Sequence, residues 1–197
     1  MFTPRHVILF SGHMVDAPDR ATPRFPPAKV PLVAQAIAAS LAAIDADARD
    51  LALTQGAAGG DLLFAEACLS RGVRLQLMLP LPEAEFIRRS LLPSADGHAW
   101  RARFAAVRAR LPSPPQVLQD DPASHHAAAT SVFERCNEWL LGTAFASGQE
   151  RVRFICLWDG GGGDGPGGTR HMRDEVLRRQ GLVDWIDLNA LQAPPVS

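Results

Sequence analysis

The strongest chemical signal in the sequence is a loop of nine residues between an apolar run and a helix-forming stretch. Residues 160–168 hold seven glycines, one aspartate and one proline. The preceding run, residues 152–158, predicts a buried strand, and residues 169–180 predict a helix that Gly181 ends. Because the first amides of a helix have no partner inside it, such a loop directs backbone N–H groups at an anion. The loop is therefore a candidate phosphate site, and a flexible surface linker is the alternative that its composition leaves open.

Polar side chains follow the first predicted strand, residues 6–10. Ser11, Gly12 and His13 form a turn there, and a histidine in that position could donate to a phosphate or shuttle a proton. A turn histidine with no such role is equally compatible with the pattern. Arg20 and Arg24 lie in a proline-bearing loop that could fold over the same edge as a lid and bind a phosphate bidentately. Solvated loop arginines are the simpler interpretation.

A second glycine-rich turn, residues 55–61, opens another predicted helix. It contains Gly56 and Gly60, but it ends in Asp61, which would compete with a phosphate for the same helix amides. Asp61 could cap its helix or hydrogen-bond a ribose hydroxyl. In the helix after the first loop, Asp174 and Glu175 fall within the first two turns, where acids suit the helix dipole without any function.

These positions lie at one edge of a sheet only if strands and helices alternate along the chain. Apolar runs predict strands, and helical spacing of apolar residues predicts the segments between them. The predicted strands are residues 6–10, 51–54, 73–79, 116–118, 152–158 and 183–187. Predicted helices begin near residues 30, 61, 83, 100 and 169, and Ser131 with Glu134 forms a capping-box pattern for another. Such alternation predicts a doubly wound parallel sheet, whose carboxyl edge gathers the strand-to-helix loops into one ligand crevice.

The composition limits which classes of protein the chain can belong to. The 197 residues are 47% apolar and 21% charged, which predicts one domain over residues 1–190 and a tail at residues 191–197. The net charge of −1 gives no general attraction to nucleic acid or to acidic membranes, and no apolar stretch is long enough for a membrane span. Three scattered cysteines suit a reducing, cytoplasmic compartment. We expect no metal and no cofactor, since neither zinc-type spacing nor a Walker pattern is present. A homodimer through apolar helices stays open.

Three stretches, once placed at one sheet edge, make the chain resemble the SLOG superfamily. They are residues 11–13, residues 55–61 and Pro166-Gly167-Gly168-Thr169. That group contains the LOG-type nucleotide hydrolases, the DprA-like Rossmann domains and sensor domains for nucleotide-derived signals. The resemblance spans residues 6–188. It implies an α/β, Rossmann-like three-layer fold with a mostly parallel central sheet, which binds nucleotides or their derivatives at the carboxyl edge.

The catalytic motif of the LOG-type hydrolases is only partly present. Those enzymes have P-G-G-x-G-T-x-x-E, whose glutamate and a separate arginine attack an N-glycosidic bond. Here the position three after Thr169 is Met172, and Glu175 lies one turn further along the predicted helix. That displacement is about 4.5 Å, which is large for a catalytic carboxylate. The departure counts against hydrolysis and leaves nucleotide binding intact.

We therefore expect a protein that binds a nucleotide or a nucleotide-derived ligand, as a sensor or accessory module. The expected ligand-binding residues are Ser11, Gly12, His13, Arg20, Arg24, Gly56, Gly60, Asp61, Gly165, Gly167, Gly168 and Thr169. The alternative is a LOG-like phosphoribohydrolase that cleaves the base–ribose bond of a nucleoside monophosphate, with Glu175, Asp174 and His13 as catalytic candidates. A purely structural partner of another protein is a third interpretation.

Overall fold

The chain forms a six-stranded sheet in which every pair of neighbouring strands is parallel. The computed structural model describes residues 2–119, 131–161 and 168–192. The strands are β1 (Val7–Gly12), β2 (Leu51–Thr54), β3 (Arg74–Leu79), β4 (Gln116–Val117), β5 (Val152–Trp158) and β6 (Leu182–Asp187). The order across the sheet is β4-β3-β2-β1-β5-β6. The predicted α/β class with a mostly parallel sheet is confirmed.

Six α-helices cover the two faces of the sheet within the described ranges. They are α1 (Val30–Ala43), α2 (Gly60–Ser70), α3 (Glu83–Ser90), α4 (Gly97–Ala109), α5 (Val132–Phe145) and α6 (Thr169–Arg178). Single 3₁₀ turns stand at Pro27–Lys29 and Gln149–Arg151. None of the helices in the described ranges has both the length and the apolar character needed to cross a bilayer.

The residues of β1 divide between two hydrophobic cores because successive side chains of a strand point to opposite faces. Ile8 and Phe10 pack with α1, α2 and α4, whereas Val7 and Leu9 pack with α5 and α6. Both faces of the central strand are fully buried, which is why it reads as a continuous apolar run. The arrangement is the predicted three-layer one, with helices on both sides of the sheet.

Local sequence signals account for the helix ends that matter most to the site. Ser131 begins α5 as predicted: its hydroxyl accepts the N–H of Glu134 at 3.2 Å, and Glu134 Oε2 accepts the N–H of Ser131 at 2.7 Å. α6 ends at Arg178, two residues before the predicted end at Gln180. Gln180, with φ 63°, takes the left-handed position, and the N–H of Gly181 then bonds the carbonyl of Val176. Gly181 is needed for another reason, since a Cβ there would lie 2.7 Å from Val176 Cγ1.

The strand order reverses at β1, which places a topological switch point between β1 and β5. From β1 the chain builds outward through β2, β3 and β4, and it then returns to add β5 and β6 on the other side of β1. In open parallel sheets the crevice at the carboxyl ends of such strands is where ligands bind. The residues that follow β1 and β5 are therefore the ones that position a site.

Candidate functional site

A cavity of about 400 Å³ lies at the carboxyl edge of the sheet, at the switch point. Many of the residues predicted to bind a ligand line it: Ser11, Gly12, His13, Arg20, Arg24, Asp61, Gly168 and Thr169. They come from four separate parts of the chain. Gly165 and Gly167 lie outside the described residues. The volume falls in the range of small-molecule pockets, about 300–1,000 Å³.

A direct hydrogen bond joins the end of β1 to the beginning of α6. The hydroxyl oxygens of Ser11 and Thr169 are 3.0 Å apart although the residues are 158 positions apart in the chain. Thr169 is buried, and Gly168, which precedes it as the N-cap, has no side chain to satisfy the helix amides. The first turn of α6 therefore faces the cavity with a dipole that favours negative charge.

His13 sits between an acidic and a basic side chain at the same edge. Its Nε2 is 3.1 Å from Asp159 Oδ1, and the Nη2 of Arg24 is 3.0 Å from each nitrogen of the imidazole ring. The Nε of Arg24 also lies 3.4 Å from Asp159 Oδ2, which closes a three-residue cluster. Burial acts to raise the pKa of Asp159, but hydrogen bonds from His13 and from the N–H of Gly161 outweigh it and lower that pKa. Asp159 is thus the anionic member of the cluster.

The loop that carries Arg20 and Arg24 is anchored along its length. Asp16 is the centre of the anchoring: its N–H donates to the carbonyl of Phe25, and its Oδ2 accepts the N–H of Arg24 at 2.9 Å. The side chain of Phe25 is fully buried in the core. Arg20 places its Nε 3.3 Å from Asp16 Oδ1. The loop therefore holds both arginines at the cavity through its own hydrogen bonds and core packing.

Asp61 neither caps α2 nor lies free in the crevice. Its Oδ2 accepts the N–H groups of Gly56 and Ala57, at 3.1 and 3.2 Å, while Gly59 is the N-cap of α2. Burial raises the pKa of Asp61 to about 7, and the two amide hydrogen bonds oppose that rise only in part. The carboxyl group thus closes the β2–α2 loop and at the same time lines the cavity.

Gly56 and Gly60 do not line the cavity, and each has a structural reason to be glycine. Gly56 has a φ of 90°, a conformation that side chains rarely adopt. A Cβ on Gly60 would lie 3.0 Å from Leu157 Cδ2, so glycine lets α2 begin close to β5. The glycines of the β2–α2 turn therefore serve its backbone conformation and its packing.

The carboxylates of Glu175 and Asp174 lie outside the cavity. Glu175 Oε1 accepts the Nε of Arg179 at 2.5 Å and the Nη2 of Arg178 at 2.6 Å. The hydrogen bond from Arg178 is the main reason that the pKa of Glu175 falls to about 2. Asp174 is exposed and lies 3.2 Å from Arg173. Of the three catalytic candidates, His13 alone lines the cavity, and Glu175 instead borders a separate polar cleft between α5 and α6.

Several polar residues of the site were not among the expected ligand-binding residues. Asp159 and Gln55 directly follow β5 and β2, so the rule that singled out His13 after β1 could have found them. Gln55 Nε2 donates to Asn137 Oδ1 on α5 at 2.7 Å, and both side chains line the cavity. Ser94 also lines it; its hydroxyl is buried and finds no hydrogen-bond partner among the described residues. Neither Asn137 nor Ser94 carries a signal in the sequence.

Comparisons with known proteins assign no family to the chain. No family model matches the chain. No curated protein matches it either. Among solved structures, the chain is similar to DNA processing protein A (DprA) from Streptococcus pneumoniae, at 13% identity and a TM-score of 0.47. The match covers 96% of this chain and 53% of that one, so the chain spans about half the length of that protein. At this identity and TM-score the likeness identifies neither a family nor an activity.

Proposed function

We propose that the protein binds a nucleotide or nucleotide-derived ligand in the switch-point cavity, as a sensor or accessory module. The observation that carries the proposal is the hydrogen bond between Ser11 and Thr169, which brings the end of β1 and the start of α6 to one wall. Parallel α/β sheets bind ligands at such a point. The first turn of α6, whose N-cap Gly168 has no side chain, then supplies backbone donors for a phosphate.

The cavity offers different chemistry to different parts of such a ligand. A phosphate would meet the amides at Gly168 and Thr169, with Gly12 beside them and the guanidinium groups of Arg20 and Arg24 within the same cavity. The neutral polar groups of the ligand would meet the amide side chains of Gln55 and Asn137 and the carboxyl group of Asp61. Neutral donors and acceptors of this kind suit a sugar or a base.

The proposal does not extend to cleavage of the N-glycosidic bond. That alternative assigned the central role to Glu175, whose carboxylate is held by Arg178 and Arg179 outside the cavity. A group that stabilises a developing charge has to lie within contact of the reacting atoms. Glu175 lies outside the cavity and therefore does not meet this requirement.

Isothermal titration calorimetry with a panel of nucleoside mono-, di- and triphosphates and dinucleotides tests the proposal. We expect at least one member to bind the wild-type protein, and we expect Arg24→Gln and Thr169→Val each to weaken it about tenfold or more. Arg49→Gln is the matched control, because Arg49 precedes β2 at the opposite edge and is exposed. Affinities that are equal in all four proteins would remove the cavity from the binding site. Absence of heat with every nucleotide would reject the function.

A further inference from the structure

The charges around His13 balance one another in the described part of the cavity. Arg24 lies 3.4 Å from Asp159, and Arg20 lies 3.3 Å from Asp16, so each arginine already has a carboxylate beside it. Asp61 is a further acid on the cavity wall. With a neutral His13, these five groups offer an incoming anion no net positive charge. One more positive charge beside these groups would make the site more favourable for such a ligand.

The geometry makes His13 the group that can supply that charge. The imidazole ring is 7% exposed, lines the cavity, and touches both members of the Arg24–Asp159 pair. A proton on the ring is opposed by the Arg24 guanidinium at 3.0 Å and favoured by the Asp159 carboxylate at 3.1 Å. An anion bound beside His13 and Arg24 adds negative charge near the imidazole ring and therefore favours its protonated form.

We infer that the cavity takes up its anionic ligand together with a proton on His13, so that Arg24 and Asp159 set the affinity for the anion through the charge of the ring. This inference rests on the proposed function, because it concerns the phosphate-binding part of the same cavity. It assigns Asp159 as a positioning residue that acts through His13. By linkage, the anion raises the pKa of His13, and the affinity for the anion falls as the pH rises through the titration of His13.

Sulfate is the probe for the test, because it stays fully ionised while histidine titrates and any proton taken up must enter the protein. The ring C–H signals of the six histidines are followed by NMR against pH, and His13→Asn identifies the signal of His13. We expect sulfate to raise the pKa of His13, measured against chloride at equal ionic strength. In sulfate-free protein, Arg24→Gln should raise that pKa and Asp159→Asn should lower it.

Calorimetry of sulfate in buffers of different ionisation heat gives the number of protons directly. Wild-type protein should take up as much as one proton per sulfate, most strongly within about one pH unit of the His13 titration. His13→Asn should abolish the uptake, whereas His98→Asn, an exposed histidine on α4, should retain it.

The outcomes separate this inference from the proposed function. A His13 titration that sulfate leaves unchanged overturns the inference, whatever the nucleotide panel shows. Proton uptake that persists unchanged in His13→Asn overturns it as well, since the proton then enters another group. The proposed function fails if no nucleotide binds or if the cavity variants bind nucleotides as tightly as wild type, and sulfate binding without proton uptake leaves that function standing.

Discussion

The two glycine-containing strand-to-helix junctions at the carboxyl edge look alike in sequence and differ in structure. At the β2–α2 junction, the protein's own Asp61 accepts the N–H groups of Gly56 and Ala57. At the start of α6, Gly168 caps the helix without a side chain, and the hydroxyl of Thr169 bonds to Ser11 across the switch point. A glycine-rich turn therefore points to a ligand only where no internal acid takes the place of the anion, and no acid among the described residues does so at the start of α6.

The comparison extends to what each junction does for the fold. The β2–α2 junction is hydrogen-bonded to the chain between β1 and the arginine-bearing loop. Gly59 forms an antiparallel β-bridge with Met14, and the N–H of Val15 donates to the carbonyl of Ala58. Changes there should act mainly on stability. Changes at Ser11 and Thr169 should act more on ligand affinity, and the following predictions run from the largest expected effect to the smallest.

Gly59→Ala should be the most damaging change at the β2–α2 junction. Gly59 has a φ of 101°, and a Cβ there would lie 2.7 Å from the backbone nitrogen of Val15, which cannot move away as a side chain could. We expect a loss of about 3–5 kcal/mol in the free energy of unfolding, measured with urea. The matched control is Gly142→Ala in the interior of α5, where a Cβ meets nothing within 4 Å. It should stabilise the protein by about 0.5–1 kcal/mol. A similar, small change for both variants would show that the junction tolerates a side chain.

Asp61→Asn should change how stability depends on pH. The pKa of Asp61 is about 7 in the folded protein and about 4 when unfolded, so the folded state holds a proton that the unfolded state has lost. The contribution of Asp61 to the free energy of unfolding is therefore complete at low pH and is lost as the pH rises from about 4 to about 7. Asparagine cannot ionise and keeps an oxygen for the amides of Gly56 and Ala57.

The measurement is urea unfolding of both proteins at a series of pH values. Relative to wild type, Asp61→Asn should gain on the order of 2–4 kcal/mol between pH 4 and pH 8. Because the two proteins differ only at residue 61, the contributions of other titrating groups such as Asp50 and Asp159 cancel when their unfolding free energies are subtracted. A constant difference across the range would mean that Asp61 titrates normally and that the junction holds an ordinary carboxylate.

The hydrogen bond between Ser11 and Thr169 should be a modest term in stability. A double-mutant cycle of Ser11→Ala and Thr169→Val should give a coupling of about 1 kcal/mol in unfolding free energy. Each variant should lose more in ligand affinity than in stability, which is the reverse of the pattern at the β2–α2 junction. Zero coupling would show that the two hydroxyls do not depend on each other. A stability loss as large as that of Gly59→Ala would erase the distinction between the junctions.

The elements were predictable from the sequence because apolar runs and turn residues mark them. The bounds of β2 and β5 agree with the prediction, whereas β1 continues two residues further because Ser11 and Gly12 pair with Cys156 and Leu157. Such pairing is a long-range contact that no local pattern contains. The parallel alternation of elements was enough to predict that the residues after β1 and before α6 share an edge.

The site was predictable only in its backbone positions. Residues directly after strands end up at the carboxyl edge whatever their partners, and His13 was found by that rule, whereas Asp61 was found by its position at a predicted helix start. Partners across the cavity depend on how helices rotate and pack, so Asn137 on α5 and the buried Ser94 gave no signal. The face of α6 that meets the core was also not evident, and Glu175 was assigned a role at a cavity that it does not line.

Glu175→Gln should therefore have the smallest effect of all. Its carboxylate lies between Arg178 and Arg179, whose side chains are 69% and 38% exposed, so solvent screens most of the attraction. We expect a stability loss of about 0.5 kcal/mol or less. Nucleotide affinity should stay at the wild-type value, because Glu175 does not line the switch-point cavity. Chromatography of nucleotides incubated with either protein should show no free base. Release of base by wild type and not by Glu175→Gln would instead place the chemistry in the cleft between α5 and α6, and the switch-point cavity would lose its claim to be the functional site.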